Sequence, residues 1–205
     1  ADWKFPIEEY HRCMESEADV LIIGCGIAGA SAALALAKDT QRDILIVTRA
    51  PEPLECNTEY AQGGIVSRGI KDSPERLVAD IMAAGAGATL REAAEVLAVE
   101  GPRLVDEVLV GEAGVAFDTD GKGRLSFTKE GGHSTRRIVH VGDATGRAIE
   151  HALLGRLMEL PNVRVRGGVT AVDLIPTSHQ VRAPLAQYEP TRCLGAYLLD
   201  QSEGT

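Results

Sequence analysis

Apolar positions along the chain fall into short unbroken runs and longer helical stripes. Asp19-Val-Leu-Ile-Ile-Gly24 is a continuous run of β-branched and leucine residues closed by glycine, which predicts a strand buried on both faces. The chain then turns at once into Ala28–Lys38, almost all Ala, Leu, Ser and Gly. Such small side chains let a helix lie close against a sheet. A second apolar run, Asp43–Thr48, completes a βαβ unit. This unit implies a right-handed crossover, a parallel sheet and ligands outside the carboxyl ends of the strands.

Downstream, the loop Arg49–Gly69 is rich in Pro, Asn and Gly. Helical spacing returns over Ser73–Ala84 and Leu90–Val110, and Ser73-Pro74-Glu75 has the capping serine and first-turn proline of a helix start. Gly114–Asp118 reads as a short strand or turn, and Asp143–Met158 as a helix capped by Asp143. Val163–Arg166 and Val169–Ile175 read as a hairpin or strand pair, with Cys193–Leu199 a further strand.

Composition changes the picture in three ways. A net charge of −9 with no dense basic block argues against nucleic-acid binding. Cys13, Cys25, Cys56 and Cys193 lie far apart with no CxxC pair, so neither a metal site nor a redox dithiol is expected. No apolar run approaches the roughly 18 residues of a membrane span, and the start lacks a signal-peptide pattern, so a soluble cytoplasmic enzyme is expected. Glycine, at 22 residues, far exceeds the three Phe, four Tyr and one Trp. Such an excess points to close approaches of the backbone.

Three of those glycines form Gly24-Cys25-Gly26-Ile27-Ala28-Gly29 at the strand-to-helix turn, the context in which GxGxxG binds a dinucleotide. Helix N–H groups and the helix dipole would meet the pyrophosphate, with Cys25 a small neighbour rather than a nucleophile. Where an acid commonly holds the ribose, this chain has Thr48-Arg49. A hydroxyl partner for the ribose and an arginine for a 2′-phosphate are both open, so the turn alone leaves FAD, NAD and NADP as readings.

The next run, Cys56-Asn57-Thr58-Glu59-Tyr60-Ala61-Gln62-Gly63-Gly64, joined to the first turn, resembles the succinate dehydrogenase, fumarate reductase and L-aspartate oxidase flavoprotein superfamily. Glu130-Gly-Gly-His133-Ser134-Thr-Arg136-Arg137 with Asp143-Ala-Thr-Gly146 is similar to its L-aspartate oxidase branch. The succinate and fumarate members commonly have an aromatic residue in place of Glu130 and Gln in place of His133. The resemblance spans about residues 18–175.

The resemblance implies an α/β, Rossmann-like FAD-binding fold with a parallel sheet, incomplete relative to the family. Residues 1–17 would be an extension and 18–205 the front part of the FAD-binding domain, with capping and helical domains expected beyond Thr205. The loop Asn57–Gly64 would run under the flavin ring. Since Asn57 stands where covalent members have histidine, FAD would be held non-covalently. Glu130 would meet the substrate ammonium, and His133 and Ser134, with Thr128 a weaker choice, its carboxylates; Arg136 and Arg137 are open between structural and ligand roles. The implied activity is oxidation of L-aspartate to iminoaspartate with oxygen or fumarate as acceptor. It would be the first step of NAD biosynthesis, with a functional link to quinolinate synthase. The alternatives are a fumarate or succinate enzyme, a non-catalytic FAD-binding fragment, and an NADP dehydrogenase suggested by Arg49.

Overall fold

The two apolar runs form the centre of the molecule. The computed structural model describes residues 17–177 and 190–201; the predicted extension therefore lies almost wholly outside the described residues. Strands β1 (Val20–Ile23) and β2 (Ile44–Val47) lie parallel, Val20 opposite Ile44 and Ile23 opposite Val47. All four residues of β2 are buried, as expected for a central parallel strand covered on both faces. Helix α1 (Ile27–Ala37) connects the two strands and buries Ala30, Ala33, Leu34 and Ala37. With α4 (Thr145–Met158) it closes a core that includes Ile44, Ile46, Phe117, Val139, Ile149, Leu153 and Leu157.

The expected hairpin does not form. Strand β5 (Val163–Arg166) instead joins the free edge of β2 in parallel, giving the order β1-β2-β5. Strand β6 (Val169–Pro176) pairs antiparallel with β7 (Cys193–Asp200). The reason lies at Gly167, where an added Cβ would sit 2.0 Å from the Pro51 carbonyl oxygen. The chain is pressed against the loop after β2 at that point, and the neighbouring backbone groups bond there. Thr48 N–H donates to the Arg166 carbonyl, and Val169 N–H to that of Thr48.

Ser73 caps α2 (Pro74–Ala84) as read, accepting from the Arg76 N–H at 3.3 Å. The stretch 90–110 is not one α-helix. Helix α3 (Arg91–Leu104) continues into a π-helical segment, Val105–Glu112; within α3, Pro102 supplies no N–H to the Ala98 carbonyl, which accepts from Arg68 Nη2 instead. Gly114–Asp118 forms no strand, although Val115 and Phe117 are buried. Two short strands, β3 (Ile65–Val66) and β4 (Ile138–Val139), pair antiparallel. They draw the loop 56–64 against the segment 128–142.

Candidate functional site

The turn after β1 is built as the glycine pattern requires. Gly24 has φ +98°, a left-handed conformation, and an added Cβ on Gly29 would lie 2.0 Å from the Gly24 carbonyl oxygen. The third glycine therefore lets helix and strand touch. An added Cβ on Gly26 would meet Thr58 Oγ1 at 3.1 Å and Cys56 Sγ at 3.7 Å. The Ile27 N–H at the helix start donates to Thr58 Oγ1, so the turn and the loop 56–64 are one construction, with Ala28 in the first helical turn.

Cys25 is fully buried, and its thiol donates to the Pro53 carbonyl at 2.7 Å. Burial raises its pKa, which favours the thiol over the thiolate. Its side chain faces the core rather than a ligand. Thr48 is also buried and bonds toward Cys25, leaving Arg49 as the exposed residue at the end of β2.

The loop lies on α4. An added Cβ on Gly146 would be 2.0 Å from the Thr58 carbonyl oxygen, and the Gly146 N–H donates to the Ala61 carbonyl. Glu59 points to the same helix, ion-paired with Arg147 at 2.9 Å and His151 at 3.3 Å. Its carboxylate is thereby engaged within the protein. Asn57, Tyr60, Ala61, Gln62 and Gly63 are exposed, and an added Cβ on Gly63 would meet nothing within 4 Å. This backbone is open to a flat ring.

Gln62, Gly63 and Gly64 line an open groove of about 430 Å³ together with Thr128, Glu130, His140, Gly142 and Asp143. Glu130 accepts the Gly64 N–H at 3.2 Å and so ties the second loop to the first. Asp118 positions the far wall: its Oδ2 pairs with His140 Nδ1 at 2.9 Å and accepts the Gly142 N–H at 3.0 Å. No pattern in the sequence marked Asp118 for this. Asp143 does not cap α4. The cap residue is Ala144, and Thr145 Oγ1 instead accepts the Val141 N–H.

His133 and Ser134 sit on a different network. Arg137 is fully buried and donates from Nε and Nη2 to the two oxygens of Asp72, at 3.0 and 2.8 Å, and from Nη1 to Asp80 at 2.5 Å. Ser134 gives both its N–H and its hydroxyl to Asp80, so that hydroxyl is already engaged. These bonds keep the Asp80 carboxyl below its ordinary range despite partial burial. Arg137 Nη1 lies 3.1 Å from His133 Nδ1. Arg136 is exposed.

A parallel sheet, a glycine turn at a helix start and an open backbone loop resting on one helix are together the parts of a flavin-nucleotide cradle. Residues 19–205 match the family described as FAD binding domain. The chain belongs to that family. Among curated relatives of this FAD-binding domain, L-aspartate oxidase of Halobacterium salinarum is 39% identical over 172 residues, covering 84% of this chain and 33% of its own length. L-aspartate oxidase of Yersinia pestis is 40% identical over 189 residues, covering 90% and 34%. The chain thus spans about a third of the length of these relatives. Among solved structures, Mycobacterium smegmatis Sdh1 in complex with UQ1 superposes with a TM-score of 0.71 at 29% identity, over 77% of this chain and 28% of that one. An E. coli quinol fumarate reductase FrdA gives 0.72 at 22% identity, over 77% and 27%, a likeness of fold.

The residues present in the domain fit FAD. An added Cβ at Gly24 or Gly63 would meet nothing within 4 Å, and the exposed Gln62–Gly63 backbone is open. Among the described residues no cluster of His, Cys, Asp and Glu is arranged to hold a metal, and no helix is long and apolar enough to cross a membrane. A second residue, like Asp118, had no sequence signal. Glu150 on α4 is fully buried, neither carboxyl oxygen has a hydrogen-bond partner, and desolvation pushes its pKa up to about 7.

Proposed function

We propose that this chain is the FAD-binding part of an enzyme that oxidises L-aspartate to iminoaspartate, with residues 18–205 forming that domain. The observation that carries the reading is the place of Glu130, whose carboxylate stands on the wall of the groove beside the open Gly63–Gly64 backbone. Bound FAD would supply the hydride acceptor, reoxidised by oxygen or fumarate. The chain's own residues would bind and orient. Gly24, Gly26 and Gly29 with the start of α1 hold the pyrophosphate, and the loop 57–64 supports the flavin without a covalent bond, as Asn57 offers no imidazole.

Glu130 places a negative charge where aspartate, unlike succinate, carries an ammonium group. One oxygen, Oε1, is held by the Gly64 N–H, which fixes the carboxylate relative to the flavin loop. The names of the relatives and the Glu130-Gly-Gly-His133 pattern support the same choice. In the full-length protein, Glu130→Gln should raise KM for L-aspartate by about 10- to 100-fold, the worth of one charge-assisted contact. Aspartate-dependent bleaching of the flavin measures it. An unchanged KM, or a wild-type protein that oxidises succinate and ignores aspartate, would move the assignment to the dicarboxylate enzymes.

A further inference from the structure

Glu150 lies one helical turn beyond Gly146, on the face of α4 that packs beneath the loop 56–64. Its carboxyl is sealed from water with neither oxygen hydrogen-bonded, and the nearby Cys56 thiol only partly offsets the rise in pKa that desolvation causes. The thiol of that same Cys56 lies 3.7 Å from the Cβ position of Gly26 in the phosphate turn. Cys25, also in the turn, is within reach of the charge on Glu150.

Among the described residues no cation offsets that charge. The ionisable groups facing it are Cys56 and Glu59 from the loop and Cys25 from the turn. Arg147 and His151, on the same helix, are both engaged by Glu59. Helix α1, packed alongside, contains no charged residue. A pyrophosphate adds negative charge to the turn, and in a water-excluded setting a further carboxylate close by is opposed by both repulsion and lost solvation.

We propose that Glu150 is a positioning residue beneath the phosphate turn that holds a proton whenever FAD is bound, so that cofactor binding takes up one proton at this carboxyl. The neutral acid keeps the Cys56 side of the loop packed against Gly26, and the ionised acid disfavours the dinucleotide. By reciprocity, whatever proton affinity FAD adds to Glu150, protonation adds to FAD affinity.

The test is calorimetric titration of the full-length apoprotein with FAD in buffers of differing ionisation heat. At about pH 8 uptake should approach one proton, and FAD should bind about tenfold more weakly than at about pH 6, since the free carboxyl is half-ionised near pH 7. Glu150→Gln should bind with no uptake at that site and lose the pH dependence, whereas His151→Gln should keep both. Should Glu150→Gln fail to fold, infrared difference spectra of the wild type decide: FAD should add a protonated-carboxyl carbonyl band and remove a carboxylate band. Binding without uptake or without that band overturns the proposal alone, as does full uptake by Glu150→Gln. Absence of FAD binding by the wild type would overturn the assignment of the turn and the proposal with it.

Discussion

Arg137 shows how far neighbouring residues in sequence diverge once side chains are placed. Arg136 is exposed, while Arg137 is fully buried between Asp72 and Asp80. The sequence left both open between structure and ligand binding, because the partners of Arg137 lie 65 and 57 positions away. An arginine only donates, so the Arg137 Nη1 contact makes His133 Nδ1 the acceptor and leaves the ring hydrogen on Nε2. Removing the guanidinium leaves the buried Asp72 carboxylate with only the longer Arg68 ion pair, at 3.5 Å. We expect Arg137→Ala to cost about 3–5 kcal/mol in urea unfolding, with Arg137→Lys recovering only part, since lysine cannot make the paired bonds.

At the scale of elements, the βαβ unit, the Ser73 cap and the glycine turn were legible because each depends on neighbours a few residues away. The strand pairing of β5 and the break in α3 were not. Val163–Arg166 looks the same whether it pairs with β6 or with β2, and the choice falls to the unsatisfied edge of β2. Local origin makes the legible features easy to test. Ser73→Ala should cost about 1 kcal/mol through loss of the bond to the Arg76 N–H, read by thermal unfolding. Gly29→Ala should do far more, because its methyl has no room against the Gly24 carbonyl. We expect loss of both FAD binding and folded yield, checked by flavin fluorescence and circular dichroism.

For the molecule as a whole, two features set stability and association. Glu150 retains its proton when folded to about pH 7, above its ordinary value of 4.5. Its favourable contribution is thus complete below about pH 4.5 and is lost as pH rises through 7. Glu150→Gln should therefore be more stable than the wild type at about pH 8, on the order of 3 kcal/mol, and the advantage should vanish near pH 4.5. Guanidinium unfolding at the two pH values reads it.

The second feature is exposed apolar surface. Among the described residues β1 is an edge strand with Ile23 53% exposed, and Val96, Leu97, Val99 and Leu104 stand out from α3. Open edges and apolar faces associate. The 205-residue chain alone should run larger than a monomer in size-exclusion chromatography with light scattering, and a monodisperse monomer would contradict this.

The order of apolar runs and glycines by itself determined a βαβ nucleotide cradle, because a buried parallel strand and a tight turn restrict composition within a few neighbouring residues. It also supplied Glu130, through the likeness of a whole motif. Only the tertiary structure decided that Ser134 and Arg137 share Asp80, that Asp118 holds His140, and that Glu150 is sealed under the cofactor loop. Those roles arise from burial and from partners far apart along the chain, and the charge, bond and pKa of each side chain follow from what the fold brings beside it.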